Sequence, residues 1–445
     1  MGKTIGKALV KAAALLLAAC LLGGCALERR IPAGQEEPLV SEGLETAGTL
    51  TEILSGLLAL PENDREPAGG AEEMKAVWVS YLDLSPLLVG KSREEFAASA
   101  EELVRSSKEL GLNTLIVQVR PFGDSFYPSQ YFPWSKWASG ELGKPLDYDP
   151  VQILKELAEE EGMEFHGWLN PMRGMSEAET GLVPAEYPIR QWYDDPALRA
   201  KNLMLVDGSI YLNPASAEAR KLIADGAAEI QETYGTDGIH IDDYFYPPDM
   251  DFAVDAPSYA QYQAEGGTLD QAQWRRENTL AMVRELSEAV HQVSPESQFG
   301  VSPRGSMEQN FRDLYIDVEQ WMREGLMDYI APQLYYGFEN EALPFAETAR
   351  QWDSLAEDAG VPMIVGLAAY KVGKPDQYAG AGASEWMDSP DLLARQIEFS
   401  RELPSYGGIM LFRYDSIANP PEEAAEAAAQ ARAYWQPLLL ESTQP

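Results

Sequence analysis

The chain has 445 residues, 45% of them hydrophobic, and carries 34 basic against 71 acidic side chains for a formal charge of −37. That size and apolar content suit one large globular domain or two small ones. So acidic a chain argues against nucleic acid as a partner, because phosphate binding needs a basic face, and any acidic substrate has to be met by arginines placed locally.

The N-terminus reads as a targeting segment. Lys3, Lys7 and Lys11 precede an apolar run at 12–22. That run has signal-peptide length and is too short to span a membrane comfortably. It ends in Leu22-Gly23-Gly24-Cys25, the pattern of a bacterial lipoprotein signal. Residues 1–24 are then expected to be removed and Cys25 to be lipid-modified, leaving an extracytoplasmic protein anchored to the membrane by its acyl chains. Losing three lysines and no acids takes the formal charge to −40. The two cysteines, Cys20 and Cys25, leave no disulfide framework for the folded region. Residues 25–73, rich in Glu, Gly, Pro and Ala, are expected to form a flexible tether, with one short helix at 44–60.

From Lys75 a rhythm begins. Short runs rich in β-branched and aromatic residues predict strands at 76–81, 114–120, 164–170, 238–242, 298–302, 329–334, 363–367 and 408–412. Amphipathic runs predict helices at 93–110, 150–161, 215–234, 270–293, 316–324, 345–359, 390–402 and 421–434. Ser92 with Glu95 forms a capping box, Gly111 ends the first helix, and Asp149-Pro150 pairs an N-cap with Pro at the first helical position. Alternating strands and helices argue for a parallel sheet, and eight repeats fit a single α/β domain, a closed (β/α)8 TIM barrel over residues 74–438. A doubly wound open sheet is the runner-up; it is disfavoured because no Gly-x-Gly-x-x-Gly or phosphate loop follows the first strand.

In such barrels the chemistry sits where strands end. The stretch Gly235 to Pro248 closes a strand with Asp242 and Asp243, followed by Tyr244, Phe245 and Tyr246. Adjacent carboxylates at the end of a buried strand are costly unless a cleft gives them work. The other strand ends supply Asp83, Arg120, Asp124, Trp168, Asn170, Arg173, Ser302, Arg304, Gln333, Tyr335, Glu339, Tyr370 and Arg413. Rings of this kind stack on sugars, Asn, Gln and Arg bond hydroxyl and carboxyl groups, and paired carboxylates cut glycosidic bonds. No serine nucleophile elbow is present. His166, His240 and His291 form no His-x-His pair, so no metal or other cofactor is expected. On the inward face His240 reads either as a core histidine or as a base, and Arg120 either as a substrate contact or as a partner of Asp242 or Asp124.

Several long stretches carry a resemblance. They are Val77 to Ser80, Gln118 to Ser129, Pro133 to Ser135, His166 to Arg173, Asp237 to Pro247 and Ile330 to Tyr336. Together they resemble the bacterial glycosyl-hydrolase-like family 10 proteins. The resemblance implies a (β/α)8 barrel and hydrolysis of cell-envelope glycan, with peptide-free peptidoglycan strands as the polysaccharide partner. Larger relatives append a β-domain, and none is expected here.

The resulting expectation is a glycosidase with Asp242 as nucleophile or base. Asp243 or Glu339 is the proton donor and Asp124 a reserve. Arg120, Asn170, Arg173, His240, Tyr244, Tyr246, Gln333 and Tyr335 are candidate substrate contacts. Retention or inversion turns on carboxyl separation, about 5 Å against roughly 6.5–9.5 Å. Two alternatives stay open: a non-catalytic glycan-binding lipoprotein, and a metal-assisted hydrolase using the Asp pair as ligands.

Overall fold

The computed structural model of the protein describes residues 72–441. The expected signal, Cys25, nearly all of the tether and its short helix lie outside the described residues.

The strands, in chain order, are β1 (Met74–Val79), β2 (Thr114–Arg120), β3 (Glu164–Leu169), β4 (Arg173–Ser176), β5 (Leu203–Val206), β6 (Ser209–Leu212), β7 (Gly238–Ile241), β8 (Gln298–Val301), β9 (Tyr329–Ile330), β10 (Met363–Leu367) and β11 (Tyr406–Phe412). Eight of them close a parallel barrel, running β1, β2, β3, β7, β8, β9, β10, β11 and back to β1. Around it lie α1 (Arg93–Glu109), α2 (Pro150–Glu160), α3 (Ala217–Tyr234), α4 (Gln271–Val293), α5 (Val318–Arg323), α6 (Phe345–Ala359), α7 (Leu392–Arg401) and α8 (Ala425–Leu440). This is the expected (β/α)8 barrel.

The strand alternation sorts residues into two layers. Inward positions hold Ala76, Trp78, Ile116, Trp168, Tyr329, Ala331, Ile364 and Met410. Outward positions such as Val77, Val117, Ile239, Ile241 and Val301 pack beneath the helices. Each such aliphatic side chain contributes about 1.5–3 kcal/mol on burial. Large inward groups sit against glycines. A Cβ on Gly300 would lie 1.9 Å from the Tyr329 ring, and one on Gly238 would lie 2.5 Å from His166 Nδ1.

The helix ends follow local chemistry. Ser92 Oγ accepts from Glu95 N–H at 3.2 Å and Glu95 Oε2 accepts from Ser92 N–H at 2.9 Å. Asp149 caps Val151 and Gln152 ahead of Pro150. Glu73, at the end of the expected tether, pairs with Arg401 at 2.9 Å.

Three features depart from the predicted elements. β9 stops at Ile330, because Pro332 has no N–H to continue the ladder; Gln333 makes only single bridges to Arg304 and Gly366. The loop after β3 builds its own antiparallel sheet, β4-β6-β5. Between β2 and β3 the register shifts, with Gln118 opposite Trp168 but Arg120 opposite Leu169. That bulge turns Arg120 to the outward side.

Candidate active site

Asp242 follows β7 directly and is 3% exposed. Its Oδ2 accepts from Trp168 Nε1 at 3.0 Å and its Oδ1 from the Tyr244 amide at 3.2 Å. Burial, then the charge of Asp243, pushes its carboxyl well above the usual carboxylate range; the two hydrogen bonds and Arg173 pull the other way. Asp243 turns to the opposite side. Arg304 Nε donates to its Oδ2 at 3.0 Å and Gln333 Nε2 to its Oδ1 at 3.1 Å, while Gln333 also donates to the Ser302 carbonyl. Two carboxyl groups adjacent in the chain thus occupy unlike surroundings, one dry and driven toward its protonated form, the other in a salt bridge. Such separation is the pattern of an acid and base pair.

A wall of rings borders this pair. Tyr81 packs on Phe122 and on Trp137, each at 5.1 Å between centroids. The Arg173 guanidinium lies between Phe122 and Tyr244, 4.3 and 4.2 Å from their centres. Tyr244 is 37% exposed. Tyr335 packs against Trp78, Tyr370 and Phe412, and burial followed by Tyr370, Asp243 and Asp242 raises its phenol well above the ordinary value. Asn170 Oδ1 accepts from Gln118 Nε2 at 2.7 Å, whose Oε1 accepts from the Tyr81 amide; Asn170 Nδ2 is buried with no hydrogen-bond partner among the described residues.

Four expected site residues sit elsewhere. His240 is fully buried: Trp78 Nε1 donates to its Nε2 at 3.2 Å, and its Nδ1 meets the Tyr329 hydroxyl at 2.9 Å. Because Nε2 accepts, the ring is neutral with its proton on Nδ1, and burial, then His166, holds its pKa well below the ordinary value. His240 therefore sits as a core histidine, one of its two readings from sequence. Tyr246 is buried against Arg275 and Tyr315, beside the fully buried Arg275–Asp255 pair. Arg120 is turned outward by its bulge, its guanidinium 4.4 Å from the Phe132 ring and against Gly226 of α3, with neither Asp242 nor Asp124 as a bonded partner; burial lowers its pKa to about 10. Glu339 is exposed on a loop pinned by its amide to Glu385 at 2.9 Å, and no hydrogen bond or ion pair links it to either aspartate among the described residues.

Asp124 is buried beside the wall and accepts from the Phe122 amide at 2.9 Å; burial raises its carboxyl to about 6. It shares a pocket of about 200 Å³ with Phe122, Lys136, Trp137, Arg173 and Glu179. Phe122 and Arg304 were absent from the expected contacts. The signal for Arg304 was its place in the loop just past β8, three residues beyond Val301, on the strand next to the one that the aspartates follow. Asp83, bonded by the Ser80 and Asp415 amides and paired with Arg413, ties the loops after β1 and β11 together.

The family profile described as glycosyl hydrolase-like 10 matches residues 73–388. The chain belongs to this family. Among its curated relatives, glycosyl hydrolase YngK of Bacillus subtilis is 30% identical over 394 residues, spanning 84% of this chain and 74% of that protein. Glycosyl hydrolase DigH of Escherichia coli K12 is 27% identical over 440 residues, spanning 92% and 99%. Two solved structures share the fold. The glycoside hydrolase domain of PgaB (BpsB) from Bordetella bronchiseptica superposes with a TM-score of 0.55 at 16% identity, covering 80% of this chain and 98% of its own. The catalytic domain of a Paenibacillus polymyxa β-amylase does so with a TM-score of 0.53 at 10% identity, covering 84% and 100%. The glycosyl hydrolase-like 10 match ends at residue 388, before β11, so the last barrel strand rests on the structure itself.

Proposed function

We propose that this glycosyl hydrolase-like 10 protein is a glycosidase of the bacterial envelope that hydrolyses peptide-free peptidoglycan strands. The observation that carries the reading is the Asp242–Asp243 pair, whose two carboxyls face unlike surroundings at the end of one strand. In this reading Asp242, kept protonated by burial, donates to the leaving oxygen, and Asp243, oriented by Arg304 and Gln333, acts as base or nucleophile. That exchanges the two roles expected from position along the strand alone. Tyr244 and Tyr335 supply the ring faces for the sugars, and the unpaired Asn170 amide supplies a donor for a hydroxyl. Lipid attached at Cys25 would hold the enzyme outside the cytoplasm, next to its substrate.

The two-carboxylate reading is preferred over a metal-assisted one because both oxygens of Asp243 already bond Arg304 and Gln333. Among the described residues no group of three or more His, Cys, Asp or Glu side chains is placed to hold an ion. The test is incubation with peptide-free peptidoglycan and with neutral polysaccharides, followed by mass analysis. New reducing ends from the peptidoglycan arm are expected. Binding of strands without any release of fragments would overturn the enzymatic reading in favour of a glycan-binding barrel.

A further inference from the structure

Arg173 differs from the other cations around the cleft in what it lacks. Arg304 is paired with Asp243, Arg413 with Asp83, Lys136 with Glu179 and Lys371 with Asp376. Arg173 has no carboxylate at ion-pair distance and no side-chain hydrogen bond among the described residues, in a chain with 71 acids and 34 bases. Two aromatic faces hold it instead. Stacking of this kind uses the flat face of a guanidinium and leaves its edge, a fork of N–H donors, open to a planar anion. The backbone beneath is fixed, since Arg173 opens β4 and pairs with Tyr211 of β6.

The position is next to the chemistry. Arg173 touches the ring of Tyr244, two residues beyond Asp242, and its charge is felt at Asp242 itself. On its other side it lines the pocket of about 200 Å³, with Ser176, Ser209 and Asp124. The remaining charges of that pocket, Lys136 and Glu179, neutralise each other. Asp124 accepts from the Phe122 amide and forms no ion pair with Arg173 among the described residues, so the open cation there is Arg173.

Resting on the glycosidase reading above, we propose that Arg173 receives a carboxylate borne by the glycan, the lactyl ether carboxylate that a muramic residue exposes once its peptide is removed. A stem peptide converts that group to a neutral amide with no second oxygen for the fork. Arg173 is then a specificity-determining residue. It makes a strand of free acids the preferred substrate of a protein whose overall charge repels acids.

The experiment compares kcat/KM on peptide-free strands with kcat/KM on the same strands after their carboxyls are reduced to alcohols. Wild-type protein is expected to favour the acidic strands about tenfold or more, the size of one charged hydrogen-bonded pair. In Arg173→Gln that ratio falls to near one, and in Arg173→Lys, which keeps charge without the fork, it lies between. The ratio is internal to each protein, so partial misfolding of a variant cancels. Equal rates on both strands by wild-type protein, or an unchanged ratio in Arg173→Gln, overturns the assignment. Failure of wild-type protein to cut either strand defeats the hydrolase reading instead.

Discussion

Asp242 and Asp243 are neighbours in sequence and opposites in setting. What separates them is a change of direction at the end of β7, one side chain meeting Trp168 and the other meeting Arg304. Asp124 offers a cleaner test of the same physics, because burial leads its shift and the like charge of Glu179 is the smallest contribution, whereas at Asp242 the charge of Asp243 comes second only to burial. Its folded carboxyl titrates near 6 against an ordinary 3.8. The sign follows: its favourable share of stability is complete below the unfolded value and is lost as pH rises through about 6, a change of about 3 kcal/mol at most. Asn cannot ionise. The stability of Asp124→Asn relative to wild type should therefore rise between pH 4 and pH 7, read by denaturant unfolding at both; a constant difference would contradict the burial argument. At this scale the sequence showed which residue types end the strands. It placed His240 on the inward face but could not choose between core histidine and base, and it did not show where the chain turns after Asp243, so Tyr246 read as a contact and lies in the core.

Among the elements, β2 shows how one extra residue redirects a side chain. Counting by twos along the strand places Arg120 with Gln118 on the inner face, but the register shift sends it out beneath α3. Gly226 makes the room: a Cβ there would lie 2.4 Å from the Phe132 ring and 2.5 Å from Arg120 Nη1. In an open helix Gly→Ala gains up to about 1 kcal/mol, whereas overpacking costs about 1–3 kcal/mol. Gly226→Ala should accordingly lower the melting temperature, measured by circular dichroism; a higher one would mean that Arg120 does not press on this helix. Strand and helix periodicities were legible because hydrophobic spacing and caps such as Ser92 and Asp149 act locally. The sheet β4-β6-β5 was not, since its four-residue strands carry Arg173, Ser176 and Ser209 and lack a sustained alternation.

At the scale of the whole molecule, a net charge of −37 meets a substrate proposed to be anionic. Repulsion between them acts over roughly a Debye length, about 30 Å at 0.01 M salt and about 8 Å at 0.15 M, while the short Arg173 contact is screened less. KM for peptide-free strands should fall as salt rises across that range, and a steady increase would point to a dominant basic binding face. The barrel itself was readable from eight repeats of strand and helix. The Asp83–Arg413 pairing between the first and last strand ends was not, because it joins residues over three hundred positions apart.

The most direct test of the central claim is release of reducing ends from peptide-free peptidoglycan by wild-type protein and by Asp242→Asn, each checked for an intact fold by its melting curve. Cleavage by wild-type protein and a loss of about 100- to 10,000-fold in the variant, at unchanged or higher melting temperature, is the predicted result. Undiminished cleavage by a folded Asp242→Asn would contradict it.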